Sequence, residues 1–199
     1  RLNIDHTIED QFNLGVRMNA HVRQDNGIRN NFGVNENAGA LYAAYNFDPT
    51  LPVKNDDGEY VTSPSITTDN PVAIAEGERR PSSSYRTYGT AFAEYFIVPS
   101  LSAKVRVGAD LLSTRDNTYI TRQTKNGEAA NGLAFVTNSR QRDYVAEGTI
   151  NYDKTFGNHD VKGVAGVTLQ HSSFDNVDAN GEDFTSDVTG TDNLGLSNP

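Results

Sequence analysis

The chain has 199 residues, of which 36% are hydrophobic, and its formal net charge is -9. This acidic balance argues against nucleic-acid binding, which needs a basic surface that displaces counterions. The sequence contains no cysteine, and this excludes a disulfide framework and a thiolate metal site.

Two strands are predicted near the N-terminus, at about residues 1–8 and 12–23. Apolar and polar residues alternate in both. Because successive side chains of a strand point to opposite faces, one face of each strand is apolar and the other is polar. If Ile8 pairs with Phe12, three residues form the turn and the two apolar faces coincide.

The clearest alternation lies in a second predicted hairpin, with strands at about residues 86–97 and 101–112. Pairing Ile97 with Leu101 leaves the turn Val98-Pro99-Ser100 and brings the two apolar faces together. Strands of soluble proteins usually run about five or six residues, whereas about nine to eleven tilted residues are needed to cross a bilayer. This hairpin therefore has the length of a membrane-crossing one.

A third hairpin is predicted from strands at about residues 143–154 and 159–171. The apolar residues change from even to odd numbers between the strands, so the turn must contain an even number of residues. Pairing Lys154 with His159 leaves Thr155–Asn158 as a four-residue loop, with glycine and asparagine placed for a tight bend.

Loop length differs strongly between the two ends of these strands. The hairpin turns are short, whereas the other connections are long, at residues 24–85, 113–142 and 172–199. This asymmetry is typical of outer-membrane barrels, whose external loops are long. No run approaches the roughly twenty apolar residues of a transmembrane helix, so a spanning structure must be a barrel. The predicted fold is all-β, an antiparallel transmembrane β-barrel fragment of about six long strands in three hairpins, with long extracellular loops.

The sequence begins inside a predicted strand and stops in a stretch rich in glycine, asparagine and aspartate, 189–199, without a closing element. Residues 1–199 are therefore expected to be an internal part of a longer barrel domain. Six strands cannot close around a lumen, and an open sheet would leave two bare edges. The chain alone is therefore not expected to transport.

The longest loop contains a predicted short helix at residues 37–46, capped by Asn35 or Asn37, and three motifs after it. These motifs are Asp48-Pro49-Thr50-Leu51-Pro52-Val53, Asp57-Gly58-Glu59-Tyr60 and Asn70-Pro71-Val72. Followed by the strands at Tyr88–Tyr95 and Leu101–Asp110, their order resembles that of the SusC/RagA-like TonB-dependent transporters. The resemblance covers most of residues 1–171.

The resemblance implies a 22-stranded barrel in the cell outer membrane, with an N-terminal plug domain. It also implies nutrient import together with a SusD-like surface lipoprotein, driven by the TonB complex. Glycans are the first substrate class implied and peptides the second. The plug domain and the segment pulled by TonB are not recognised in this chain, so no residue here receives an energy-coupling role.

Two other functions remain open at this point. A siderophore-type receptor barrel would lack the Pro-Thr-x-Pro-Val and Asn-Pro-Val loop. A soluble all-β carbohydrate-binding module would use the two faces of its strands as the inner and outer faces of a sandwich. Neither importer nor binding module is an enzyme, and no catalytic residue or cofactor is predicted.

Eight charged residues fall on the predicted lumen-facing side of the strands. They can line a solute path, hold a plug through ion pairs, or form a wet polar wall without a specific role. They are Arg17, Arg23, Glu94, Lys104, Arg106, Asp110, Glu147 and Lys162.

Five residues in or beside the longest loop are of types that contact sugars and peptides. Aromatic rings stack on the apolar faces of sugars, and arginine donates paired hydrogen bonds. Packing within the loop explains the same residue types. The five residues are Tyr42, Tyr45, Arg79, Arg80 and Tyr85.

A metal-like spacing occurs near the C-terminus, at Asn176, Asp178, Asn180 and Asp187. Oxygen ligands at alternate positions suit calcium, but the last ligand is not a bidentate glutamate and no helices flank the loop. We predict a solvated polar turn without bound metal, with calcium as the alternative. The four histidines share no ligand spacing, so no zinc site is predicted.

Overall fold

A computed structural model describes residues 1–9, 11–30 and 38–198. Six strands are present in these ranges: β1 Leu2–Ile8, β2 Phe12–Gly27, β3 Glu78–Val98, β4 Leu101–Ile120, β5 Leu133–Phe156 and β6 His159–Glu182. All six lie in one sheet in the order β1-β2-β3-β4-β5-β6. Three short helices lie between them: α1 Ala40–Asn46, α2 Pro71–Gly77 and α3 Lys125–Ala129. The predicted all-β fold with six strands in three hairpins is confirmed.

The strands run antiparallel to their neighbours. In the first hairpin Ile8 pairs with Phe12, as predicted. Between β2 and β3, the rings of Phe12 and Tyr95 stack at 4.6 Å, and Asn19 donates to the Tyr88 hydroxyl at 3.2 Å. The residue numbers rise on one strand as they fall on the other, which is the signature of antiparallel pairing.

Most strands are longer than the sequence pattern predicted. β2 continues to Gly27, β3 begins at Glu78 instead of 86, and β4 continues to Ile120. β5 begins at Leu133 instead of 143, and β6 continues to Glu182 instead of 171. Backbone pairing does not require alternating hydropathy, so the ladders extend beyond the apolar segment that the pattern detects.

Two turns are also shorter than predicted. Val98, expected in a turn, is the last residue of β3. The four-residue loop predicted at Thr155–Asn158 is wrong, because β5 ends at Phe156 and β6 begins at His159. Gly157 has a φ of +60°, a conformation that glycine adopts without steric cost and that tight hairpin turns need.

The predicted helix at 37–46 is shorter than expected and begins at Ala40, with Gly39 as its N-cap residue. The predicted caps Asn35 and Asn37 lie outside the described residues. Within the described ranges, no helix has the length and hydropathy needed to cross a bilayer.

Two compact units are distinguished by their internal packing, and each is described by itself. The first, here called the sheet unit, comprises Arg1–Arg23, Ser84–Ser113 and Ser139–Asp175. The second, the loop unit, comprises Gln24–Ser83, Thr114–Asn138 and Asn176–Pro199.

The sheet unit exposes its apolar side chains instead of burying them. Val167 and Leu169 on β6 are 63% and 67% exposed, and Val22 on β2 is 60% exposed. Among the described residues, every buried hydrophobic residue belongs to the loop unit. One of its clusters consists of Ala40, Ala43 and Ile74, and the other of Tyr119, Ala134 and Phe184.

The aromatic ring of Phe92 lies on the polar face of the sheet unit. The Phe92 ring has the Lys104 ammonium 4.5 Å and the Arg17 guanidinium carbon 5.9 Å from its centre. A Cβ added to Gly15 would lie 2.1 Å from Cε1 of Phe92. Gly15 therefore leaves the space that this ring occupies on the neighbouring strand.

We expect Gly15→Ala to destabilise the folded protein by about 1–3 kcal/mol, the usual cost of overpacking. The matched control is Gly163→Ala on β6, where an added Cβ meets nothing within 4 Å. The midpoint of thermal unfolding, followed by the mobility of unheated samples on a detergent gel, measures the difference. Equal midpoints for both variants would contradict the packing role of Gly15.

Candidate functional site

Charged side chains on the polar face of the sheet unit pair across neighbouring strands. Three of these pairs are Arg17–Asp5 at 3.4 Å, Lys104–Glu94 at 3.4 Å and Arg106–Glu147 at 3.5 Å. Two others are Arg86–Asp110 and Lys162–Asp153, the latter at 2.7 Å. The ion pairs thus connect β1 with β2, β3 with β4, β4 with β5 and β5 with β6.

Seven of the eight residues predicted to face a lumen take part in these ion pairs. Arg23, the eighth, lies on β2 and has the same strand parity as Arg17. The partners Asp5, Arg86 and Asp153 were not singled out from the sequence, although their alternation on the polar side was the available signal. Exposed pairs of this kind each contribute only about 0.2–1 kcal/mol, so their main effect is to set the charge of this face.

Glu94 accepts hydrogen bonds from two side chains of the neighbouring strand β4. Ser102, itself only 5% exposed, donates to Glu94 Oε1 at 2.9 Å, while the Lys104 ammonium approaches Oε2. Asn151 donates to the Ser102 hydroxyl at 3.5 Å. Side chains from β3, β4 and β5 are therefore linked at one place.

In the loop unit, Asn70 holds together the motifs on which the family resemblance rests. Its side-chain amide donates to the carbonyl oxygens of Val53 and Val61 at 3.1 and 3.0 Å. Its side-chain oxygen accepts from the backbone N–H of Val72 at 3.0 Å and caps α2. Pro71 follows at the first helical position, where its missing N–H costs nothing.

The neighbouring Asp69 is a buried carboxylate with two backbone donors. It accepts from the N–H of Asn70 and of Lys125, both at 2.8 Å. Burial raises the pKa of the Asp69 carboxyl above its usual value, and the two backbone hydrogen bonds oppose that rise. Asp69 therefore attaches the start of α3 to the turn that precedes α2.

The Asp57-Gly58-Glu59-Tyr60 motif forms a tight turn in the loop unit. The side-chain oxygen of Asn55 accepts from the backbone N–H of Asp57 and Glu59, and Gly58 has a φ of +83°. Lys54 pairs with Tyr60 in a short bridge, and its ammonium lies 4.3 Å from the centre of the Tyr60 ring. These bonds lie within the segment whose ends Asn70 joins.

The five candidate ligand contacts do not form one cluster. On α1, Tyr45 is 91% exposed, whereas Tyr42 is half-buried. Arg80 pairs with Glu78 at 3.2 Å, and Arg79 beside it is exposed. Tyr85 belongs to the sheet unit, so it is described apart from the other four.

Sequence reasoning missed a buried carboxylate at the start of β3. The Glu78 side chain is 0% exposed and lies between two guanidinium groups, with Arg29 at 2.8 Å and Arg80 at 3.2 Å. A buried charge needs such partners, because burial without compensation costs several kcal/mol. The neighbour Arg80 was visible in the sequence, but no spacing rule identifies Arg29.

The four residues of the calcium alternative near the C-terminus do not share one loop. Asn176, Asp178 and Asn180 lie on β6 and not in a loop, and Thr137 donates to Asp178 at 2.6 Å. Asp187 accepts from the Tyr119 hydroxyl at 2.7 Å and pairs with Arg122 at 2.7 Å. Within the described part of the chain, no three histidine or acidic side chains are close enough together to hold a metal ion.

Comparison with curated proteins finds receptors from Formosa agariphila. TonB-dependent receptor P26 is 26% identical over 208 residues, which cover 100% of this chain and 20% of the receptor. TonB-dependent receptor P39 is 25% identical and aligns with 96% of this chain and 18% of its own length. The chain thus spans about a fifth of these relatives. No protein-family model matches it.

Comparison with solved structures finds the same fold in a transporter. A structure titled "Structure of the RagAB peptide transporter" matches 99% of this chain and 22% of its own chain, with a TM-score of 0.78 and 14% identity. A structure of the RagAB peptide importer in the "closed-closed" state matches with a TM-score of 0.74. With the curated receptors, this confirms the resemblance stated from the sequence. These relatives are receptors and transporters, not enzymes.

We expect Asn70→Ala to loosen the segment between Val53 and α2, because it leaves two carbonyl oxygens and a helix N-terminus without their partner. Loss of the cap alone costs about 0.5–2 kcal/mol, and each unsatisfied buried group adds about 1–3 kcal/mol. Hydrogen exchange of the Val61 and Val72 amides should become faster.

Two further variants separate the roles of Asn70. Asn70→Asp keeps the oxygen that caps α2 but loses the donors, so exchange should rise at Val61 and less at Val72. Asn46→Ala, which removes one exposed hydrogen bond to the Tyr42 carbonyl, is the control and should leave both amides unchanged. Unchanged protection in Asn70→Ala would show that Asn70 does not hold the loop.

Proposed function

Since TonB-dependent receptors and the RagAB peptide transporter match nearly the whole of this chain, we propose that it forms part of the barrel wall of a nutrient importer in the cell outer membrane. The polar face of the sheet unit lines the lumen, and the apolar face contacts lipid. Residues 1–199 then belong to a partial receptor barrel domain, with the long loops on the external side.

The observation that carries this proposal is the contrast between the two faces of the same strands. The apolar face is exposed, with Ile4 on β1 at 52%, Val105 on β4 at 56% and Ile150 on β5 at 54%. Soluble monomers rarely expose contiguous apolar patches larger than a few hundred Å². A lipid environment covers such a face without requiring another protein layer.

The soluble carbohydrate-binding module is disfavoured by the sheet topology. A sandwich covers the apolar face of one sheet with a second sheet. All six described strands lie in a single sheet, so a second sheet is not found in the described residues. The siderophore-type alternative is disfavoured by the loop, where Asn70 joins the Pro-Thr-x-Pro-Val and Asn-Pro-Val motifs.

The nutrient is proposed to be an oligosaccharide or a peptide. Peptides are supported by the structural similarity to the RagAB peptide transporter. Oligosaccharides are supported by exposed aromatic side chains such as Tyr45, whose rings can stack on sugars. A SusD-like lipoprotein and the TonB complex are the proposed partners of the whole protein.

A pair of adjacent cysteine variants tests the orientation of the wall. Arg106 and Val107 on β4 are almost equally exposed in the sheet, at 50% for the arginine side chain and 49% for the valine residue. We expect Arg106→Cys to react with a small charged thiol reagent in intact outer membranes, because it faces water. Val107→Cys should react only after the protein is unfolded, because it faces lipid.

The chain has no cysteine of its own, so each variant carries one thiol within it. Equal reaction of both cysteines in intact membranes would contradict the membrane wall and would favour the soluble module. A reaction confined to Val107→Cys would reverse the assignment of the faces.

Deletion of the gene tests the nutrient class. We expect the deletion strain to lose growth on either a peptide mixture or an oligosaccharide mixture as sole carbon source, while growth on the corresponding free amino acids or monosaccharides is unchanged. Small solutes enter through other pores, so only the import of larger ones should depend on this protein. Unchanged growth on every mixture would contradict the import function.

A further inference from the structure

The apolar face of the sheet unit carries a small charged cluster at residues 140–142 of β5, just before the apolar segment of that strand. Because side chains alternate, Arg140 and Arg142 share a face with Tyr144. Asp175 on β6 shares its parity with Leu169, and it forms an ion pair with Arg142. This contact shows that the two series lie on the same side of the sheet.

The signs of the charges differ between the two faces. On the polar face, carboxylates and cations alternate in the ion pairs described above. On the apolar face, the described strands of the sheet unit carry three cations, Arg140, Arg142 and Lys154, and a single carboxylate, Asp175. The apolar face therefore carries an excess of positive charge, although the whole chain has a net charge of -9.

The cations also flank the apolar segment of β5. Its outward side chains run from Tyr144 to Tyr152, with Arg142 directly before and Lys154 directly after. Arginine, lysine and tyrosine at such borders lie at the depth of lipid headgroups. Because β5 begins at the long-loop side and ends at a two-residue turn, Arg140 and Arg142 lie at the external border in the proposed orientation.

We propose that Arg140 and Arg142 form a binding site for the phosphate of a lipid in the outer leaflet, an inference that rests on the proposed membrane location. Both arginines are exposed, and a guanidinium group matches phosphate with a planar fork of donors. Asp175 occupies one side of Arg142 but cannot use all five of its N–H groups. Its carboxylate opposes an incoming phosphate, so it limits the affinity of the site.

Lipid binding to the full-length protein in neutral detergent tests this inference. The probes are phosphatidylglycerol, phosphatidylcholine and inorganic phosphate, and native mass spectrometry counts the bound lipid. Each of Arg140→Gln and Arg142→Gln should weaken phosphatidylglycerol binding about fivefold, the effect of about 1 kcal/mol per basic side chain near a membrane surface. Lys154→Gln, on the same strand and face but at the opposite border, should change binding less than twofold at this site.

Asp175→Asn separates a binding role from a structural one. If the arginines bind lipid phosphate, removal of the competing carboxylate should strengthen phosphatidylglycerol binding about fivefold. If the Arg142–Asp175 pair only stabilises the sheet, the same variant should lower the unfolding midpoint and leave lipid binding unchanged. The second result would overturn the inference.

The remaining outcomes also decide between explanations. Equal losses in Lys154→Gln and in the arginine variants would indicate general charge attraction and contradict a specific site. Displacement of the lipid by millimolar inorganic phosphate would show a free-anion site instead of a lipid site. A protein that needs no detergent would contradict the proposed function, whereas a membrane-embedded protein whose variants all bind lipid alike would contradict this inference alone.

Discussion

Each strand of the sheet unit has a polar face and an apolar face, because successive side chains point to opposite sides of the sheet. A shift of one residue would exchange the two faces of a strand and place charges such as Glu94 on the apolar side. The observed pairing of Ile8 with Phe12 keeps the faces aligned. Because the described sheet unit buries no hydrophobic residue, its cohesion comes from backbone hydrogen bonds and, in the proposed setting, from lipid against its apolar face.

The hairpins and their faces were predictable because hydropathy and turn parity agree for all three. The lengths of the strands were not, since residues 78–85 of β3 are mostly polar and show no alternation that marks them as strand. Backbone pairing alone continues the ladder there. The turn at Gly157 was predicted two residues too long. The strand parity requires only that the turn contain an even number of residues, and the backbone geometry decides between two and four.

The internal structure of the long loop was beyond sequence reasoning for a different reason. Asn70 donates hydrogen bonds to the carbonyl oxygens of Val53 and Val61. Every residue has a backbone carbonyl, so the sequence does not show which of them Asn70 contacts. The resemblance detected the motifs without revealing that they bond to one another. The same limit applies to Glu78, whose partner Arg29 is remote in sequence, and to Asp187, where the metal-like spacing concealed an ion pair with Arg122.

The pairing of charges on the polar face bears on where an importer of this kind selects its nutrient. Neighbouring strands neutralise one another's side chains, so the wall offers a passing solute many hydrogen-bonding groups but little net charge. Exposed pairs exchange readily with water and with ligands, since each is worth less than about 1 kcal/mol. Such a surface favours passage over tight binding. In the proposed importer, selectivity would then depend on other groups than this wall, and the loop segment from Val53 to Val72, whose ends Asn70 joins, is a candidate in this chain.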